Sequence, residues 1–254
     1  MDELDPSEWQ VPVQSIPVHA NVTRFNWEPL AAACKFDVIM MDPPWQLATA
    51  NPTRGVSLGY SQLGDDFISA LPVNKLQDNG LLFVWVINAK YQWTLNQFKK
   101  WGYQCVLPPL PRRVAVCGAD ARAPRFVDEI VWVKLTNSRR LAKSHGFYLQ
   151  HAKEVCLVAK KGKTPPSLAA GAGSDVIFAP RRGQSQKPTE IYELIERLVP
   201  NGKYLEIFAR KNNLRDFWVS IGNEVTGTGL PPEDNEALAA GGAIPNASYG
   251  RGNA

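Results

Sequence analysis

Residues 36–45 read Phe36-Asp37-Val38-Ile39-Met40-Met41-Asp42-Pro43-Pro44-Trp45. A short, nearly continuous apolar run closed by turn-forming prolines is the pattern of a strand buried on both faces inside a parallel sheet. Asp42 then stands at the carboxyl end of that strand, where its side chain can accept a hydrogen bond from an amino group. Pro43 and Pro44 have no N–H to donate, so the stiff loop offers carbonyl acceptors. Trp45 adds a flat apolar face on which a base can stack. Acid, acceptors and aromatic plate converge on one NH2. Taken alone, the same four residues also fit a plain turn followed by a core tryptophan. The rest of the chain decides between the two.

Outward from this stretch, Asp78-Asn79-Gly80 makes a turn into a second buried strand, Leu81 to Val86. A helix is expected from about Lys90 to Trp101, stopped by Gly102, and further strands at Glu129–Lys134, Glu154–Ala159 and Asp175–Phe178. Pro188 suits the first position of a helix over Thr189–Leu198, where its missing N–H is harmless, and Ile191, Leu194, Ile195 and Leu198 form one apolar stripe. Strands at Lys203–Phe208 and Phe217–Ile221 complete the series. Strands alternating with helices predict a Rossmann-like α/β fold, a mostly parallel central sheet flanked by helices.

The same pass divides the chain into a loose arm over 1–18, broken by Pro6, Pro12 and Pro17, a domain over 19–225, and a Gly-, Ala- and Asn-rich tail over 226–254 expected to be disordered. A long polar loop runs from Gln46 to Gly64, and residues 106–126 form a proline- and arginine-rich insertion expected to be an exposed basic loop. The length of 254 residues suits one elaborated α/β domain. A net charge of +4 permits a polyanionic partner without demanding one. The four cysteines include no C-x-x-C pair and only three histidines accompany them, so neither a metal site nor a disulfide framework is expected. No run approaches the roughly 20 apolar residues of a membrane span, and the reading is of an intracellular, reducing compartment.

Phosphate-loop and dinucleotide motifs are missing. Gly162-Lys163-Thr164 ends like a phosphate loop, but Leu157 stands where its first glycine belongs, and no G-x-G-x-x-G occurs. The acid, carbonyls and tryptophan at 42–45 remain, and an exocyclic amine such as adenine N6 is what they fit. That nitrogen is a poor nucleophile because its lone pair is delocalised into the ring. If Asp42 and the Pro43 carbonyl each accept one N–H, the amine is drawn toward a tetrahedral shape and the lone pair is freed. The methyl donor that needs no metal is S-adenosylmethionine, with S-adenosylhomocysteine as product, and its sulfonium would also be stabilised near Asp42. Much of the rate would come from holding nitrogen and methyl in line at about 3 to 3.5 Å.

Several segments occur here in the order of a known family: Asp42 to Trp45, the strand ending at Trp85, Trp132-Val133-Lys134, His151-Ala152-Lys153-Glu154, Gln186 to Tyr192, and Glu206-Ile207-Phe208-Ala209-Arg210. Over roughly 19–225 the chain resembles the eukaryotic DPPW-type (MT-A70-like) adenine-N6 methyltransferases. It looks closest to the ciliate branch that methylates DNA adenines, through Asn51 to Val56, His145 to Glu154, Arg181 to Pro188 and Tyr204 to Asn213. By that resemblance Asp42, Pro43, Pro44 and Trp45 form the catalytic loop. Asn21 and Val22 would lie beside the cofactor's adenine, and Lys187 and Arg210 would contact its carboxylate or ribose. Glu206, Asn212, Asn213 and Asn223 would line its ribose and base, while Tyr60, His151 and Glu154 would border the target adenine. Two departures stand out: Asn21 replaces an acid of the messenger-RNA enzyme, and the relatives lack the stretch between Cys105 and Val127. The resemblance further implies a nuclear catalytic subunit acting on DNA, paired with a catalytically silent paralogue and accessory nucleic-acid-binding subunits. An RNA adenine-N6 methyltransferase is the first alternative and a non-catalytic presenting subunit the second.

Overall fold

The computed structural model describes residues 11–46, 62–103, 128–144, 148–183 and 185–225. The first ten residues, Tyr60, the insertion at 106–126 and the tail at 226–254 lie outside them. Eight described strands form one sheet: β1 (Ile16–His19), β2 (Val38–Met41), β3 (Gly80–Val86), β4 (Asp128–Leu135), β5 (Lys153–Lys161), β6 (Val176–Pro180), β7 (Tyr204–Ile207) and β8 (Trp218–Gly222). Their order is β1-β8-β7-β2-β3-β5-β4-β6. All neighbours are parallel except at β5, which runs antiparallel to both β3 and β4. The mostly parallel α/β sheet is therefore as expected, with one reversed strand.

Alternation along β2 builds the two layers. Ile39 and Met41 face a core shared with helices α1 (Glu28–Ala33), α2 (Asp65–Ser69), α3 (Val73–Leu76) and α4 (Tyr91–Lys100), while Val38 and Met40 face the core under α5 (Glu190–Leu198). Both sets of β2 side chains are at most 2 % exposed, which is why the run reads as continuously apolar. On α5, Ile191, Tyr192, Leu194 and Ile195 are buried, and each fully buried aliphatic side chain contributes roughly 1.5–3 kcal/mol. Gly80 opens β3 at φ 147°, where an added Cβ would fall 2.2 Å from the Asp37 carbonyl oxygen. A glycine is required at that turn.

The arm expected over 1–18 is shorter than its prolines suggested, because Ile16–His19 is an edge strand paired in parallel with β8. The Ala20 N–H donates to the Gly222 carbonyl. By alternation Val18 points its N–H the same way, and Pro17 turns its donorless nitrogen outward, where an edge strand tolerates it. Helices α1, α2 and α3 were also not expected, since four to six residues are too few to show a helical period.

Candidate active site

The strand order reverses beside β2. From β2 the chain steps to β3 and outward to β6, then returns through α5 to place β7 on the other side of β2. Open α/β sheets bind ligands in the crevice outside the carboxyl ends of the strands at such a reversal. Asp42 immediately follows β2 there, and residues 208–213 follow β7. Asn21 follows β1 and Asn223 follows β8 on the same edge, and the start of α5 and the start of reversed β5 bring Lys187 and Glu154 to it. The backbone is unusual at this point: Phe208 has φ 68°, a left-handed conformation that a bulky residue adopts only under constraint. Across from it, a Cβ on Gly222 would lie 2.1 Å from the Ala209 carbonyl oxygen, so the β7 and β8 exits pass in close contact.

Asp42 is not free. The Lys187 ammonium donates to Asp42 Oδ2 at 2.7 Å and lies 3.2 Å from Glu154 Oε2, while Lys134 pairs with Glu154 from the far side. Acid and base alternate along this row. Burial pushes the Asp42 carboxyl above its ordinary value, and Glu154 adds to the rise, against the pull of Lys187 and Arg210. Burial would also raise Glu154, but Lys187 and Lys134 together outweigh it and hold that carboxyl low. Lys187 itself, although buried, is kept protonated by its two carboxylates. The resemblance had given this lysine to the cofactor; here its partners are protein carboxylates.

The proline loop differs from its sequence reading as well. The Pro43 carbonyl accepts the Trp45 N–H and the Pro44 carbonyl accepts the Leu63 N–H, both at 2.8 Å. Each oxygen keeps one lone pair for a further donor. Trp45 is 6 % exposed, donates its indole N–H to the Trp85 carbonyl at 2.9 Å and meets Trp93 edge to face. Its described contacts anchor the loop to β3 rather than leave an open stacking face.

Beneath the crevice lies Glu206, 1 % exposed on β7. Tyr192 O–H and Asn213 Nδ2 both donate to its Oε1 at 2.8 Å, and Asn212 Nδ2 donates to Asn213 Oδ1 at 2.6 Å. Its Oε2 has no partner among the described residues. Burial pushes this carboxyl up to about 8, opposed by the two hydrogen bonds and helped by the Asp42 charge. By the resemblance Glu206 lines the cofactor's ribose and base; its described partners are Tyr192 and Asn213. A protonated acid with a raised pKa stabilises the fold below the unfolded value and loses that contribution as pH rises through the folded one. Wild-type stability should therefore fall between about pH 4.5 and 8 by up to about 1.4 kcal/mol per unit relative to Glu206→Gln. Urea midpoints for both proteins at several pH values check this; parallel curves would mean that Glu206 stays ionised.

The other expected residues are dispersed around the rim. Arg210 donates through Nε to Glu224 Oε2 at 2.5 Å. Asn21 Oδ1 accepts from the Thr23 N–H and hydroxyl, closing a turn after β1, and Val22 is packed in the core at 5 % exposure. The Asn223 carbonyl accepts from His19 Nε2 at 3.2 Å. His151 is exposed, with its backbone bridged to Ser144. Sequence reasoning gave no role to Tyr192, Glu224 or Lys134, whose partners are 14 to 20 residues away along the chain. Only Glu206 carried a local signal, as the one charge in the apolar run from Tyr204 to Phe208. An open cleft of about 800 Å³ adjoins the row, with Lys134, Glu154, Arg181, Arg182 and Gln186 in its wall.

The chain is 36% identical over 198 residues to the N(6)-adenosine-methyltransferase MT-A70-like protein of Drosophila melanogaster, covering 77% of this chain and 28% of the fly protein. It is 35% identical over 202 residues to the human N(6)-adenosine-methyltransferase catalytic subunit METTL3, covering 79% and 30%. To the human N(6)-adenine-specific methyltransferase METTL4 it is 31% identical over 200 residues, covering 75% and 37%. The chain thus spans well under half the length of these relatives. Residues 36–108 and 123–224 match the MT-A70 family, and the interruption falls inside the proline- and arginine-rich stretch. With Asp42, Lys187, Glu206 and Arg210 all inside the matched segments, the chain belongs to the MT-A70 family.

Proposed function

We propose that this chain transfers a methyl group from S-adenosylmethionine to the N6 amine of adenine in DNA, as the catalytic subunit of a nuclear complex with a silent paralogue and accessory subunits. The observation that carries this reading is Asp42 at the sheet's reversal point, outside the carboxyl end of β2 and held by Lys187. The donor set of the crevice suits the cofactor: Arg210, Asn212 and Asn223 at the exits of β7 and β8 offer the guanidinium and amide groups that a carboxylate and ribose require, and Asn21 stands at the exit of β1. When bound, S-adenosylmethionine supplies an activated methyl on a positive sulfonium. Asp42 accepts one N–H of the amine and the second lone pair of the Pro43 carbonyl accepts the other, so the nitrogen lone pair turns out of the ring, and Asp42 is the base at hand for the proton that the nitrogen must shed on gaining a methyl. Glu206 positions Asn213 from below, and Glu154 and His151 border the target base.

The preference for DNA rests on the segments that resemble the ciliate branch. RNA is the competing substrate, and the fly and METTL3 relatives are named as adenosine methyltransferases. Labelled methyl transfer to matched DNA and RNA oligonucleotides, with and without paralogous partner subunits, separates the two. Preferential labelling of DNA is expected, rising when a paralogue completes the nucleic-acid groove. Equal or greater labelling of single-stranded RNA would put the RNA reading first. Because a sulfonium methyl needs no Lewis acid and the chain has few candidate ligands, turnover should persist in EDTA. Loss on chelation, restored by one divalent ion, would show a different mechanism.

A further inference from the structure

We propose that Lys134 is a positioning residue for Asp42, which it controls through Glu154 and Lys187 without touching it. The inference rests on the reading of Asp42 as the amine acceptor. Four charges stand in a row across three strands and the entry to α5: Asp42 beyond β2, Lys187 before α5, Glu154 at the start of β5 and Lys134 near the end of β4. Lys187 lies 2.7 Å from Asp42 and 3.2 Å from Glu154, so it is shared between two acids and favours the nearer. Lys134 occupies Glu154 from the other side and thereby decides how strongly Glu154 competes for Lys187.

Both ammonium groups lie over a tryptophan ring. Lys187 lies 5.5 Å from the centre of the Trp85 ring and Lys134 lies 5.2 Å from that of Trp132. The two rings meet edge to face at 6.4 Å, and Trp132 is pinned by its indole N–H to the Ala179 carbonyl. Stacking over a ring attracts a cation in itself. The ring contact is common to both lysines, so what distinguishes their positions is the carboxylates each one pairs with. The lysine end of the row opens into the cleft, where Lys134 is part of the wall.

Among the described residues, the groups that act on Asp42 are Lys187 before α5, Glu154 and Cys156 on β5, Glu206 on β7, Arg210 after β7 and Tyr192 on α5. Lys134 is not in that set, so a direct effect and a relayed one make different predictions. Removing Lys134 leaves Glu154 with Lys187 alone, draws that ammonium away from Asp42 and makes the Asp42 proton harder to lose. Removing the Glu154 charge does the reverse. Removing both should resemble removing Glu154, since the intermediary is gone.

The test is a carbon-13 NMR titration of the Asp42 carboxyl in the full chain, assigned by its absence in Asp42→Asn. Lys134→Met should raise the Asp42 midpoint by on the order of one pH unit and Glu154→Gln should lower it comparably. The double variant should coincide with Glu154→Gln, and Lys134→Arg should restore the wild-type midpoint. If Lys134→Met raises the midpoint equally in the Glu154→Gln background, or moves it in neither, the relay is wrong. The acid limb of methyl transfer should shift in the same directions. Wild-type protein that titrates as stated but transfers no methyl in any subunit combination would overturn the catalytic reading and leave the relay standing.

Discussion

Replacing Asp42 with alanine should lower methyl transfer on the order of a hundredfold or more, the range typical of a positioned group acting on a reacting proton, while the protein stays folded. The structure explains the second half of that statement. Without Asp42, Lys187 still has Glu154 at 3.2 Å, so no buried charge is left alone. Asp42→Asn should be crippled nearly as severely, because an amide is uncharged and can turn an NH2 toward the amine. Rates would be compared at saturating cofactor, with circular dichroism confirming the fold. A variant that kept more than about a tenth of the rate, a loss under roughly 1.4 kcal/mol, would remove Asp42 from the reaction.

Lys187→Met should have the opposite profile, with the larger effect on stability. It leaves Asp42 and Glu154 facing each other without their shared cation, and breaking a buried pair from one side costs roughly 3–5 kcal/mol. Water reaches both acids, with Asp42 20% and Glu154 30% exposed as side chains, so the lower end of that range is expected. Both carboxyls would then have folded pKa values above their unfolded ones, and the variant should regain stability as pH falls and protons neutralise them. Urea unfolding at pH 8 and pH 5 measures this. A loss that is the same at both pH values would mean that packing of the lysine stem, not charge, matters at this position.

Local signals carried the sheet. β2, β3, β7 and β8 are apolar runs bounded by turns, and each is found within one to two residues of where its composition puts it. What composition does not hold is neighbourhood. Nothing in Lys153–Lys161 says that it runs against β3 and β4, and nothing in the run after Pro12 says that Ile16–His19 finds an edge at β8, some 200 residues later. The site divides in the same way. Asp42 was legible because its strand and prolines are contiguous, whereas its partner Lys187 lies 145 residues away and became a candidate only through the resemblance, which did not foresee the ion pair. Trp45 looked like an open plate because sequence shows an aromatic beside an acid. It does not show the Trp85 carbonyl that receives the indole proton.

The reversal of strand order beside β2 has a consequence for synthesis. One wall of the crevice is made early and the other late, since about 160 residues separate Asp42 from β7. At translation rates of 5–20 residues per second that interval is on the order of ten to thirty seconds. During it, β2 can pair with β3 on one side, but its other edge, carrying Val38 to Met41, has no strand to close it. An apolar strand with a bare edge is a template for pairing with another chain. A nascent chain stalled before Tyr204 would hold Asp42 at the rim of an unfinished sheet, with an apolar edge exposed to other chains and one wall of the crevice missing until the last stretch of the matched region is made.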